Sequence, residues 1–352
     1  MVCTGGWRGL LVGVALCALG SPAARGAAQP PAALGPNEAL VCSKGFSGVI
    51  SVLDLTTGRL RELPGTPVAL LPPLLMPGRN SFLYWQAAPT GPTLWLATLP
   101  HTSRRLYTAP PDHQPMAAVW WQAHYCALTC LRVGDDGWLL MVTPQGVSRE
   151  LQAKLDQGAG NPELELGFCE SLVGLADGTH ALTSGVAQAV RASVDVNTGR
   201  GVFLGGDWEH LPTLAWPWQA NLHLQAPQLN PADGRIYGTL LAYAWTDAGI
   251  RTPELQADFR QALARASGVY SFQPDGSDLR RVSVPPSMGI GTQRFPALVD
   301  LSPDGRRLLF TYYDYGVKGY TVPGLYICNL DGSGSRAVPG EGTKLSTAVW
   351  GS

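Results

Sequence analysis

The chain has 352 residues, 25 of them Lys or Arg and 26 Asp or Glu, for a formal net charge of −1. That balance offers no basic surface to follow a phosphate backbone, which sets nucleic acid aside as a partner. Charged residues make up 14% of the chain while Gly (42) and Pro (29) are abundant, which suits many short strands and tight turns better than long helices.

The N-terminus reads as an export signal. Arg8 supplies a positive start, residues 9–19 are uncharged and largely apolar, and small residues fill 21–28 before Gln29-Pro30-Pro31. This order predicts a signal peptide over 1–28, cleaved after Ala28, then a Pro-rich linker over 29–36 and a single domain over 37–352. The apolar run is too short to span a bilayer core of about 30 Å, and no later segment is long and apolar enough. Leu16 occupies the place where a small residue is wanted before a lipidated cysteine, which argues against lipidation at Cys17. The expected mature protein is periplasmic or extracellular, without a transmembrane segment, and monomeric. Cys42, Cys126, Cys130, Cys169 and Cys328 then remain. An odd, scattered set reads as buried free thiols rather than a disulfide framework. Residues four apart on a strand, such as Cys126 and Cys130, are about 13 Å apart, too far to bridge.

Beyond the linker one unit recurs: strand, turn, strand, a connection, then strand, turn, strand. Its second hairpin is read at 49–63, 93–108, 138–151, 192–204, 268–284 and 324–338. Its first hairpin centres on Met76-Pro77-Gly78, Ala123-His124, Ala176-Asp177-Gly178, Pro231-Ala232-Asp233-Gly234 and Pro303-Asp304-Gly305. Asp-Gly between apolar runs is a strong hairpin signal, because glycine tolerates the positive φ that such turns need. The first unit lacks an inner strand before residues 39–43, and the chain ends on 345–350 (LSTAVW), a strand without a partner. Joining the two closes the array and removes its open edge.

Turns of the last unit carry a family resemblance. Leu301-Ser302-Pro303-Asp304-Gly305-Arg306 is similar to the Ser-Pro-Asp-Gly-Lys turn of TolB-like β-propellers, a repeat related in outline to the WD type. Tyr326-Ile327-Cys328-Asn329-Leu330-Asp331-Gly332 resembles their second-hairpin consensus, and Asp275-Gly276 repeats it in the fifth unit. The motifs are eroded in the first four units. Repeats and resemblance together predict an all-β, six-bladed β-propeller of four-stranded antiparallel blades. The N- and C-terminal strands close one blade, and loop and short helical insertions lie on one face.

Those insertions are the functional clue. Residues 207–223, 246–267 and 312–323 all fall in connections that emerge at the same end of the blades, and long loops in a compact domain usually carry function. Within them Thr252-Pro253-Glu254 reads as a helix start, followed by an apolar stripe of Leu255, Phe259, Leu263 and Ala266. Aromatics crowd the insertions, and Trp208, Trp216, Trp218, Trp245, Tyr312, Tyr313, Tyr315 and Tyr320 are the candidate binding residues. No G-x-S-x-G elbow, P-loop, H-E-x-x-H or C-x-x-C occurs, and the six histidines are scattered. No catalytic residue, metal ligand or cofactor is therefore assigned. The expected function is an exported, non-catalytic scaffold for protein or cell-envelope glycan. The alternative is a metal-assisted polysaccharide lyase or hydrolase using the propeller channel.

Overall fold

The structure is a computed structural model. It describes residues 33–43, 47–63, 68–99, 102–133, 136–155, 164–165, 171–184, 191–198, 200–203, 220–244, 253–284, 293–316 and 321–351. Residues 1–28, read from sequence as a signal peptide, and most of the expected linker over 29–36 lie outside the described residues.

The described chain is a succession of antiparallel meanders. β1 (Glu38–Cys42), β2 (Gly48–Asp54) and β3 (Leu60–Glu62) form the first. β4 (Val68–Ala69) pairs with β2 and also with β6, bridging to the second meander. That second meander is β5 (Leu74–Leu75), β6 (Ser81–Gln86), β7 (Thr93–Thr98) and β8 (Thr102–Thr108). The third comprises β9 (Gln114–Trp121), β10 (Cys126–Val133), β11 (Asp136–Thr143) and β12 (Gly146–Leu155). After β13 (Leu164–Glu165) the fourth follows as β14 (Ser171–Gly174), β15 (His180–Ser184), β16 (Arg191–Asp195) and β17 (Arg200–Phe203). Its β17 meets β12 in a short parallel pairing, Lys154↔Arg200 and Leu155↔Gly201. Two four-stranded sheets complete the fold. One is β18 (Ala220–Leu229), β19 (Ile236–Ala244), β20 (Gly268–Phe272) and β21 (Arg280–Arg281), with α1 (Pro253–Ala266) between β19 and β20. The other is β22 (Arg294–Leu301), β23 (Arg307–Asp314), β24 (Thr321–Asn329) and β25 (Arg336–Ala337).

Every hairpin expected from the sequence is present, and the connector β4 and the β12–β17 pairing were not expected. α1 begins at Pro253 and buries Leu263, Ala264 and Ala266, while Leu255 and Phe259 have no described side chains. No helix among the described residues is long and apolar enough to cross a membrane.

Strand alternation explains how the meanders pack. Along β1, Leu40 and Cys42 face one apolar cluster with Ile50, Phe82 and Tyr84, while Ala39 and Val41 face another with Leu309, Leu325 and Ile327. Along β6, Phe82 and Tyr84 join the first of these clusters, and Leu83 and Trp85 join a third with Ala127 and Leu140. Successive side chains point to opposite faces of a strand, so each of these sheets is sandwiched between two neighbours. That is why the strands read as nearly continuous apolar runs. The cluster holding Ala39 and Val41 joins the first meander to the last, and it also contains Leu345, Ala348 and Trp350. Leu40 and Val349 exchange both backbone hydrogen bonds, at 2.8 and 2.7 Å, in an isolated antiparallel bridge. The C-terminal segment thus meets β1.

Candidate binding face

An antiparallel meander sends alternate connections to opposite ends, and the two ends here are built differently. Turns joining first to second and third to fourth strands are short and locally hydrogen bonded. Asp54 Oδ1 accepts from the Thr56 and Thr57 amides at 2.7 and 3.0 Å. Asp275, Asp304 and Asp331 accept from Ser277, Arg306 and Ser333 amides at 2.9, 3.1 and 2.9 Å. Each is an Asx turn with a sufficient backbone reason for its aspartate. These hydrogen bonds also hold the Asp54 and Asp275 carboxyls below the usual carboxylate range.

Neighbouring turns at this end lock to one another. Trp121 Nε1 donates to the Leu175 carbonyl at 2.7 Å, from the third meander to the fourth. Asn230, fully buried, donates to the Gly305 carbonyl at 3.0 Å, from the fifth to the sixth. Outermost strands add arginine staples. Arg104 donates to the Pro144 carbonyl, Arg149 to the Val196 carbonyl at 3.1 Å, and Arg336 to the Leu55 carbonyl at 3.3 Å. Tyr125 is the exposed aromatic of this end, 72% accessible at a left-handed φ of 47°.

The opposite end carries the long connections. Trp208, Trp216, Trp218, Trp245 and Tyr320 lie outside the described residues. Tyr312 and Tyr313 stand on β23, which runs further than the insertion boundary read from sequence, and Tyr315 follows it. Tyr312 is buried, edge-on to Phe310 and Tyr326 with centroids 5.7 and 5.1 Å away. Burial, with Tyr326 and Cys328 nearby, pushes its hydroxyl up to about 12. Tyr315 is buried too. Its hydroxyl donates to the Ala242 carbonyl at 2.7 Å and lies 2.9 Å from Ser267 Oγ, which itself accepts from the Ala242 amide at 2.8 Å. Ser267 also donates to Leu263 of α1 at 2.8 Å, so one polar network ties helix, β19 and the start of the sixth-meander insertion together. Tyr313 is half-buried against Phe295, 5.7 Å between centroids. These tyrosines pack into the apolar clusters on either side of β23, and the nearly continuous apolar run of Leu308–Tyr313 was the sequence signal for it.

Sequence reading missed a charged pair at this end. Arg294, opening β22, donates to Asp314, closing β23, at 2.6 Å with both side chains mostly covered. Asp314 also accepts from the Gly316 amide at 2.7 Å, and Gln293 O accepts from the Tyr315 amide at 3.3 Å. The pair therefore sets the foot of the sixth-meander insertion beside Tyr313. Its register, Arg294↔Asp314, is decided by the pairing of β22 with β23 across twenty residues of chain, which composition does not display.

Among the described residues no group of three or more His, Cys, Asp or Glu side chains is placed to hold a metal ion. Cys42, Cys126, Cys130 and Cys328 are buried and form no disulfide with one another, and Cys169 lies outside the described residues.

No protein-family model and no curated protein matches the chain. Solved structures do. TolB from Acinetobacter baumannii is 12% identical with a TM-score of 0.52, over 90% of this chain and 67% of that one. A protein of unknown function from Bacteroides caccae is 14% identical with a TM-score of 0.54, over 89% of this chain and 98% of that one.

Proposed function

The fold is that of a TolB-like β-propeller, and from that premise we propose that the protein is an exported, non-catalytic recognition scaffold of six blades. The blade count rests on the six hairpin units and on apolar clusters shared between successive meanders, the last of them joining the final sheet to the first. Export rests on the leader-like order of residues 1–28. The observation that carries the binding reading is the asymmetry of the two ends. Short turns at one end are consumed in Asx turns and inter-sheet locks, whereas the long connections leave from the opposite strand ends, and the sequence reading puts the aromatics in them.

Trp208, Trp216, Trp218, Trp245 and Tyr320 form the contact surface in this reading. Tyr312, Tyr313 and the Arg294–Asp314 pair stand on β22 and β23, and Tyr315 follows β23, where the sixth-meander connection begins. Pro217 between Trp216 and Trp218 stiffens the backbone and lowers the ordering cost of recognition. Indole and phenol faces suit a protein surface or a cell-envelope glycan. Pull-down from envelope extract tests this directly. Trp218→Ala should lose the partner, by roughly 1–3 kcal/mol, with its melting temperature unchanged, whereas Tyr315→Ala should melt earlier. Retention of the same partner by a double Trp216→Ala/Trp218→Ala variant would remove the proposal.

A further inference from the structure

Among the described residues, the C-terminal segment meets β1 outside any strand ladder. Each neighbouring sheet is held by ladders of several residue pairs, but residues 345–351 meet β1 in the single bridge Leu40↔Val349. The Gly324 amide of β24 donates to the Leu345 carbonyl at 2.7 Å, and side chains from two other meanders supply further polar attachments. Asp300, buried on β22, accepts from the Trp350 and Gly351 amides through Oδ2, the latter at 2.9 Å. Its Oδ1 accepts from its neighbour Leu301 at 2.9 Å. Arg79, in the turn between β5 and β6, donates to the Trp350 carbonyl. It also donates to Leu34 O at 3.2 Å, Gly35 O at 3.0 Å and Glu38 O at 2.6 Å. The Trp350 ring is fully buried, donates through Nε1 to Pro36 O at 2.8 Å, and lies under the Arg307 guanidinium 4.7 Å from its centroid.

We propose that residues 345–351 are a releasable strap, clipped by Asp300 on one side and Arg79 on the other, which opens as a unit while the laddered sheets stay formed. A backbone held by one bridge and one further backbone hydrogen bond opens locally more readily than one held by a ladder, because fewer hydrogen bonds break together. Both amides on Oδ2 of the buried carboxylate come from the strap, so opening the strap leaves that oxygen without them. Gly351 is the fitted piece. A Cβ there would lie 2.4 Å from the Leu301 carbonyl oxygen, so this position admits no side chain while the clip is closed. Opening would uncover the β1 edge at Leu40 together with the Trp350 ring, an aromatic side chain beside a free strand edge.

Hydrogen exchange read by mass spectrometry on the full chain tests the strap. In the wild type, the peptide covering 345–352 should exchange well before those covering β10 and β11. Gly351→Ala should speed exchange of 345–352 and of Leu40 by about tenfold or more and leave β10 and β11 unchanged. Asp300→Ala should do the same. Should it fail to fold, Arg79→Lys, which keeps the charge but cannot reach four carbonyls, replaces it. Unaltered exchange at 345–352 in Gly351→Ala overturns the clip. Loss of protection in all sheets together overturns the strap as a separable unit.

Discussion

Aspartates show how one residue type divides its work. Those in the turns are held below the usual carboxylate range, Asp54 by backbone amides and Asp331 by Ser333, so what they contribute is lost as pH falls through their folded values. Asp300 has the opposite sign. Burial raises its carboxyl despite the amides of Trp350, Gly351 and Leu301, so its contribution is largest when protonated and declines as pH rises through the raised value. Asp300→Asn removes the group that opposes the turn aspartates. Denaturant titrations between about pH 4 and neutrality should therefore show a steeper acid loss in the variant than in the wild type. Equal slopes would mean that Asp300 is solvated. The thiols are quiet for a related reason: burial lifts Cys42 and Cys126 to about 11 and Cys328 to about 12, the last with help from Asp331. A thiol reagent at mildly alkaline pH should leave Cys42, Cys126, Cys130 and Cys328 unlabelled in the native protein and label all of them in concentrated guanidinium.

At the scale of elements, stability is shared between adjacent sheets as much as within them. Asn230 stands at the end of β18, accepts from the Ala232 amide at 3.0 Å and donates to Gly305 of the neighbouring turn. Asn230→Ala strips the partner from the buried Gly305 carbonyl and from the Ala232 amide, and should cost about 1–3 kcal/mol in chemical denaturation while leaving partner binding intact. A loss below about 0.5 kcal/mol would show that solvent replaces the side chain. Glycine turns have the same double purpose. Gly332 was legible as a hairpin residue, and its φ of 82° agrees. That a Cβ there would fall 1.5 Å from the Ser283 carbonyl oxygen of the preceding sheet was not legible, because the contact joins different repeats. The helix was readable from Thr252-Pro253-Glu254 and its stripe. Its docking through Ser267 and Tyr315 was hidden, since Tyr315 is far along the chain and looks like any loop aromatic.

For the whole molecule, the unpaired strand read at the end of the sequence meets the first strand where expected, though through one bridge and a side-chain clip instead of a ladder. Removing residues 345–352 exposes Trp350, Leu345 and Ala348 from the cluster that joins first and last sheets. At about 25 cal/mol per Å² and 150–250 Å² for one buried tryptophan, the loss should be roughly 4 kcal/mol or more in denaturant unfolding. An unchanged midpoint would separate the terminus from the fold. The strand-and-turn grammar, the repeat and the all-β class were set by local chemistry: alternating or continuous apolar runs, and Asp and Gly where the backbone must reverse. Such signals act over a few residues, so one chain displays them. Which tyrosines pack and which remain open, how Arg294 finds Asp314, and what holds the last strand depend on groups brought together from distant repeats. The tertiary structure alone decides these, because burial and hydrogen-bond geometry exist only once the sheets face one another.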